Sequence, residues 1–328
     1  MTTSIRYLQC ISAGLFSLPL IAQTTSPEPE ITKLSAFEVT AEIDKGYLSK
    51  ETATGLKTGA PLMNLPIGVQ IVNREMLDDV ATFREGIGQA LRFGSSGVVS
   101  YGSVLDSLFL RGTRTTGILV DNGQQWSILP DSASIESIDV LKGPAAVTYP
   151  SSSLAGIINK NTKKPLAQER RSLTAHMGSG GFYRGEFDLT GPIFSDGKKR
   201  LSYRLIGALQ KSDGFVEPID YDDRRVLYPS LQYDFHQTTL RLQLEYMDND
   251  RANYAGSFLK LGSDGKAIGP WDGAGKYQVF RADWEDHPFE TRVLRATAIH
   301  RFSDAWETRL FVSGTRFDRA DKEARFDG

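Results

Sequence analysis

From about residue 171 onward the chain alternates apolar and polar residues one by one, and this period of two limits what it can fold into. Leu240, Leu242, Leu244 and Tyr246 are interleaved with Arg241, Gln243 and Glu245. Tyr183, Gly185, Phe187 and Leu189 alternate with Arg184, Glu186 and Asp188. Leu201, Tyr203, Leu205, Gly207 and Leu209 alternate with a mainly polar set that includes Ser202, Arg204 and Gln210. Leu294, Ala296 and Ala298 oppose Arg295 and Thr297, and Leu310, Val312 and Gly314 repeat the pattern. Successive strand side chains point to opposite faces, so each segment reads as a two-faced strand. A transmembrane β-barrel needs this pattern, with apolar side chains toward lipid and polar ones toward the lumen. A soluble β-sandwich has the same period with the faces exchanged, and periodicity does not separate the two. Tyr183, Tyr203, Tyr233, Phe235, Tyr246, Phe302 and Phe317 lie at or near segment ends, where an interfacial aromatic belt would put them.

Composition narrows the classes. The 328 residues are 24% charged, too many for a helical membrane bundle. The formal charge of -2 excludes a strongly basic nucleic-acid binder. One cysteine, Cys10, leaves no disulfide framework or Cys-rich metal site. Arg6 precedes an uncharged apolar run from Ile11 to Ala22, the length of a signal-peptide core and too short to span a bilayer. Residues 1–22 therefore read as a signal peptide, and Cys10 leaves with it. Residues 23–51 are polar with Pro27 and Pro29, a flexible leader interrupted by the extended, β-branched patch Phe37-Glu38-Val39-Thr40-Ala41. Such a patch is either a first strand of the adjoining domain or a segment that adds to another protein's sheet edge.

Residues 52–165 have a different texture. Leu65–Val72 is an apolar strand, and Asn73 can cap a short helix over Arg74–Val80 with Glu75 in its first turn. Thr82-Phe-Arg-Glu85 is a capping box before Phe83, Ile87, Ala90 and Leu91, one face of a second helix. Leu108–Leu110, Ile118–Val120, Ser137–Leu141 and Ile157–Ile158 are short strands, and Asp121-Asn-Gly123 is a turn. Strands and helices this short make a small mixed domain.

The run from Ile135 through Asp139, Lys142-Gly-Pro144 and Tyr149, then Leu154–Asn159 and Thr162–Pro165, resembles the plug domain of TonB-dependent outer-membrane receptors. Leu110-Arg-Gly112 is similar to that family's Arg-Gly motif, and Leu119-Val-Asp121 to the strand and Asp that come after it. Phe37 to Ala41 stands where the TonB box stands and resembles it loosely. Pro150 replaces the usual Gly after the tyrosine, and Ala155-Gly156 replaces Gly-Gly. The resemblance implies an α+β plug domain over 52–165, followed by antiparallel strands of an incomplete transmembrane β-barrel over 166–328.

A plugged transporter has about 22 strands, each of about 9–11 residues, and only about seven or eight can be placed after residue 165. The chain thus reads as the first part of a longer receptor. The resemblance further implies an outer-membrane location and uptake of a scarce ligand, commonly a ferric siderophore or other metal chelate, driven through TonB with ExbB and ExbD. Arg111 and Lys142 match basic plug positions that pair with acidic barrel residues, although Lys lacks the bidentate fork of Arg. Tyr101, Gln124, Gln125 and Trp126 are the plug residues richest in aromatic and hydrogen-bonding groups, the expected ligand contacts at the plug apex.

Enzymatic signatures do not appear. His176, His236, His287 and His300 are scattered without metal-ligand spacing, and neither a phosphate-cradling loop nor a nucleophile elbow is present. Ser151-Ser-Ser153 reads as a plug loop, and Asp222-Asp223, Asp248 and Asp250 read as solvated turns. No cofactor or metal is expected. The alternative to a transporter is a non-transporting exported β-rich surface or secreted binding module.

Overall fold

The computed structural model describes residues 3–8, 51–52, 60–61, 68–80, 87–101, 107–114, 118–124, 131–143, 156–214, 221–252, 259–270, 286–303, 306–320 and 322. The TonB-box-like Phe37–Ala41 and the site residues Gln125 and Trp126 lie outside them, as do most of the signal and leader segments. Three short strands come first: β1 (Thr3–Leu8), then β2 (Glu51–Thr52) paired with β3 (Ala60–Pro61).

The plug begins at β4 (Gly68–Val72) and continues into helix α1 (Arg74–Asp79). Asn73 caps α1, its side-chain oxygen accepting from the Met76 N–H at 3.1 Å, and Glu75 sits in the first turn. Helix α2 (Ile87–Gly94) buries Ile87, Ala90 and Leu91, the face read from the sequence. Strands β5 (Val98–Tyr101), β6 (Ser107–Leu110) and β7 (Thr113–Arg114) form a small antiparallel sheet. A five-stranded sheet joins β4, β8 (Ile118–Val120), β9 (Gly123–Gln124), β10 (Ile135–Lys142) and β11 (Gly156–Thr162) in the order β4-β10-β11-β8-β9. Only the β8–β11 pairing is parallel. Val72, Leu77, Leu91, Leu108, Ile138 and Ile158 belong to the apolar core between helices and sheets.

Seven long antiparallel strands come next: β12 (Arg170–Gly178), β13 (Phe182–Ser195), β14 (Lys199–Lys211), β15 (Asp222–Phe235), β16 (Thr238–Arg251), β19 (Phe289–Ser303) and β20 (Trp306–Arg319). A side hairpin, β17 (Leu259–Leu261) with β18 (Ala267–Pro270), leaves the long β16–β19 connection. The seven are ordered β12-β13-β14-β15-β16-β19-β20, and β1 pairs with the outer edge of β20. Among the described residues the sheet does not close on itself.

Burial settles what periodicity left open. Leu240, Leu242 and Leu244 are 42%, 44% and 48% exposed, whereas Arg241, Gln243 and Glu245 between them are 8%, 6% and 2%. Leu173, Leu209, Leu231, Leu294 and Leu310 are likewise exposed, and Arg204, Gln210, Thr291, Arg295 and Thr297 are buried. A soluble sandwich would bury the leucines. Here the apolar face points out and the polar face is covered by the plug, the arrangement lipid demands.

At one end of the sheet the described turns have three and two residues, 196–198 and 236–237; at the other, 179–181 is as short, but the connections between Lys211 and Asp222 and between Arg251 and Phe289 are longer. Short turns mark the periplasmic side. The Phe194, Tyr233 and Phe235 rings cluster there, with centroids 6.1 and 5.0 Å apart, beside exposed Phe302 and Trp306. Phe317 corrects the belt read from the sequence. It lies on the inward face, 6.1 Å from Phe289 and packed on the apolar cluster beneath the plug. Its parity along β20 follows Phe311, not Leu310 and Val312.

Candidate functional site at the plug–barrel interface

Asp131 sits at the start of a 3-10 turn, Ser132–Ser134, that leads into β10. Its Oδ1 caps that turn by accepting from the Ala133 N–H at 2.9 Å. Arg74, the first residue of α1, holds the turn from behind by donating to the Ser132 and Ile135 carbonyls at 2.8 and 2.7 Å. The turn is thereby rigid and presents a carboxylate and Ala133 to the barrel wall. Ala133 joins Ile206, Ala208, Val226, Tyr228, Met247 and Phe289 in an apolar cluster shared by plug and barrel.

Two barrel arginines receive the carboxylate. Arg184 Nη2 lies 2.5 Å from Asp131 Oδ1 and its Nη1 3.2 Å from Oδ2, a bidentate fork with both side chains fully buried. Arg224 Nη1 is 3.5 Å from Oδ2. The Asp131 backbone N–H donates to the Tyr228 hydroxyl oxygen at 2.9 Å. The arginines have supports of their own. Arg184 also donates to Glu186 and to Gln210 Oε1 at 3.0 Å, and Arg224 pairs with Asp222. Burial alone pushes the Asp131 carboxyl upward. The Arg184 and Arg224 charges, with the hydrogen bonds from Arg184 and Ala133, outweigh it and hold the group at about 2.

A second set of contacts lies where the plug hands over to the barrel. Lys163 Nζ is 3.1 Å from Asp188 Oδ2, and Arg204 forks the same carboxylate at 2.8 and 2.7 Å. Arg204 Nη1 also donates to the Lys164 carbonyl at 2.8 Å. Burial first, then the Arg74 charge, lowers the Lys163 pKa, and Asp188 opposes them. The β8–β9 turn supplies a third set. Asp121 and Asn122 take positive φ of 49° and 67°, which Asp and Asn tolerate better than other side chains. Asp121 accepts from the Thr162 N–H at 3.0 Å and hydroxyl at 2.6 Å, and Gln243 on β16 donates to that hydroxyl at 2.8 Å. Next to the turn, Gly123 lets the Phe311 ring come so close that an added Cβ would lie 2.1 Å from a ring carbon.

Arg111 and Lys142 come together on the plug, but their described contacts are not with the barrel. Lys142 donates to Ser96 Oγ at 2.7 Å and to Gln70 Oε1, and Arg111 is exposed at a positive φ of 52°. Burial, and then the Arg111 charge, lower the Lys142 pKa. Among the described residues neither forms an ion pair with a barrel carboxylate. Gln124 is half-buried in β9 and Tyr101 ends β5. The described residues contain no group of three metal-ligating side chains, and no described helix is long and apolar enough to cross a membrane, which says nothing of strands.

Sequence reasoning missed Asp131, Arg184, Arg224 and Asp188. The Asp131-Ser-Ala-Ser134 cap signal and the inward parity of the arginines were both legible, but nothing local joins positions 53 and 93 residues apart.

A small mixed domain seated against the polar face of long antiparallel strands matches the comparison with known families. Residues 61–157 match the TonB-dependent Receptor Plug Domain. The chain resembles the TonB-dependent receptors, a family of outer-membrane receptors and not of enzymes. The chain is 29% identical to the metal-pseudopaline receptor CntO of Pseudomonas aeruginosa, over 94% of its own length and 44% of that protein. It is 26% identical to the ferrioxamine B receptor of Salmonella typhimurium, over 94% of its length and 43% of that protein. The chain thus spans less than half the length of these curated relatives. Among solved structures, the pyoverdine outer membrane receptor FpvA of Pseudomonas aeruginosa superposes with a TM-score of 0.73 at 22% identity, covering 85% of this chain and 42% of that one. At that identity the match shows the fold.

Proposed function

We propose that this receptor takes up a metal chelate across the outer membrane, with a ferric siderophore the leading choice of ligand. The observation that carries the reading is the plug itself, seated by the Asp131–Arg184–Arg224 cluster against the polar face of barrel strands. A stopper held by buried ion pairs does not leave its seat without work, so passage calls for an energy source. TonB, with ExbB and ExbD, is the partner that supplies it in this reading, pairing with Phe37–Ala41 by strand addition. The names of the relatives, receptors for metal-pseudopaline and ferrioxamine B, support a chelate as ligand. Tyr101, Gln124, Gln125 and Trp126 are the proposed plug contacts to it, and Arg111 with Lys142 the proposed pair for acidic barrel groups. We divide the chain into signal 1–22, leader 23–51, plug 52–165 and barrel strands 166–328.

The test is metal accumulation by cells supplied with radiolabelled ferric siderophore, with and without a proton uncoupler. A Pro at Val39 removes one main-chain donor from the pairing strand. Val39→Pro should abolish accumulation and leave surface binding of the chelate near normal. Accumulation that survives both the uncoupler and Val39→Pro would sink the energised-uptake reading.

A further inference from the structure

The lipid-facing side of the sheet is not smooth. A groove of about 290 Å³ is lined by Leu240, Leu242, Ala296, Ala298, Leu310 and Val312 among others. Strand register explains it. Leu201, Tyr233, Leu240, Ala298 and Leu310 lie side by side across β14, β15, β16, β19 and β20. Two residues along each strand away from the short turns, Tyr203, Leu231, Leu242, Ala296 and Val312 form the next row. The two alanines of β19 therefore make a floor between leucine walls on β16 and a Leu–Val wall on β20. Leu294, beside Leu244 and Gly314, ends the floor at the far side.

The row at the other end of the groove has different chemistry. Lys199, Phe235, Thr238, His300 and Thr308 are aligned there. Thr238 Oγ1 and His300 Nδ1 are 2.8 Å apart, and the Phe302 ring stands edge-on to His300 at 4.4 Å. Lys199, Phe302 and Trp306 are exposed. An apolar trough thus opens onto hydroxyls, an imidazole and an ammonium at the depth of the aromatic belt, on the short-turn side. One amphiphile has that order of parts: an acyl chain, then an ester, then an anionic phosphate. On the periplasmic side of this membrane the leaflet is glycerophospholipid.

We propose that the groove is a seat for one glycerophospholipid, its acyl chain along Ala296 and Ala298 and its phosphate and ester at Thr238, His300 and Thr308, with the Lys199 ammonium further along the same row. The fit is to a single chain, because the Leu240–Leu242 wall on β16 and the Leu310–Val312 wall on β20 flank one strand only. A chain so held meets side chains on three sides instead of other lipid tails, and its head group has hydrogen-bond partners fixed by the strands. It exchanges more slowly than the surrounding lipid.

The experiment uses the full chain in nanodiscs of phosphatidylethanolamine and phosphatidylglycerol, extracted into detergent and weighed by native mass spectrometry. One phospholipid should stay bound after washing has stripped the rest. Ala298→Leu fills the floor and should lower that bound fraction at least tenfold. Gly185→Leu, on β13 with nothing within 4 Å of an added Cβ, should leave it unchanged. Should Ala298→Leu fail to fold, Thr238→Val is read in its place, and a severalfold loss is expected. Equal retention in wild type and the groove variant overturns the seat. A retained mass equal to lipopolysaccharide, or loss in Gly185→Leu as well, overturns it too.

Discussion

Arg184 on the barrel wall and Asp131 on the plug meet at 2.5 Å with neither side chain exposed to solvent. The plug supplies the anion and the barrel the cation, whereas the family resemblance implies basic residues, Arg111 and Lys142, on the plug side of the junction. A buried pair of this kind is not in itself strong evidence of net stability, because desolvation of both ions offsets their attraction. Its geometric demand is stricter. Arg184 is held by Glu186 and Gln210, and Asp131 by its own turn, so the plug docks in one orientation.

Removing one member of the pair should be costly. Asp131→Asn leaves Arg184 buried against a neutral amide and removes the counter-charge shared with Arg224. A loss of about 3 kcal/mol in unfolding free energy is expected, the range for breaking a buried pair. Denaturant unfolding followed by tryptophan fluorescence measures it, and a change under about 1 kcal/mol would show that the cluster does not fix the plug.

The same pair sets an acid dependence. The Asp131 pKa is depressed in the folded state, from an ordinary value of 3.8 to about 2. Its contribution is therefore fully present above pH 3.8 and is lost as pH falls through about 2. The difference corresponds to about 2 kcal/mol. Wild-type stability minus that of Asp131→Asn should be flat from neutral pH to about 5 and shrink between about 4 and 2. A difference that changes instead around neutrality would point to another group.

Gly123 and Phe311 should behave as a coupled pair. A Cβ on Gly123 overlaps the Phe311 ring, so Gly123→Ala should destabilise by about 1–3 kcal/mol, the cost of overpacking. Phe311→Ala removes the obstacle. The double variant should then lose less than the sum of the two single losses, by about 1 kcal/mol. Strict additivity would mean that the ring swings aside freely.

Ligand affinity is the check on the apex residues. Alanine at Gln124 and Trp126 together should weaken binding of the chelate about tenfold or more if these side chains touch it, read by titration of intrinsic fluorescence. Unchanged affinity would take both residues out of the site.

Much of the plug was legible in the sequence because its signals are local. The Asn73 cap, the Ile87–Ala90–Leu91 face and the Asp121-Asn-Gly123 turn each depend on residues a few positions apart, and each is present in the structure. Alternation likewise fixed which side chains of β16 share a face, since pleating leaves no other choice. Which face meets lipid was not a local matter. It took the plug, reaching Gln243 through Thr162 and Arg184 through Asp131, to make the polar side the buried one.

The same distinction separates the site found from the site expected. The order of residues determined the family's plug motifs, the strand parity and the cap at Asp131. Only the tertiary structure decided that Asp131 meets Arg184 and Arg224, that Asp188 takes Lys163 and Arg204, and that Phe317 turns inward to Phe289. Ion pairing depends on distance in space and on exclusion of water. Neither quantity exists along the chain until the plug is seated against the strands.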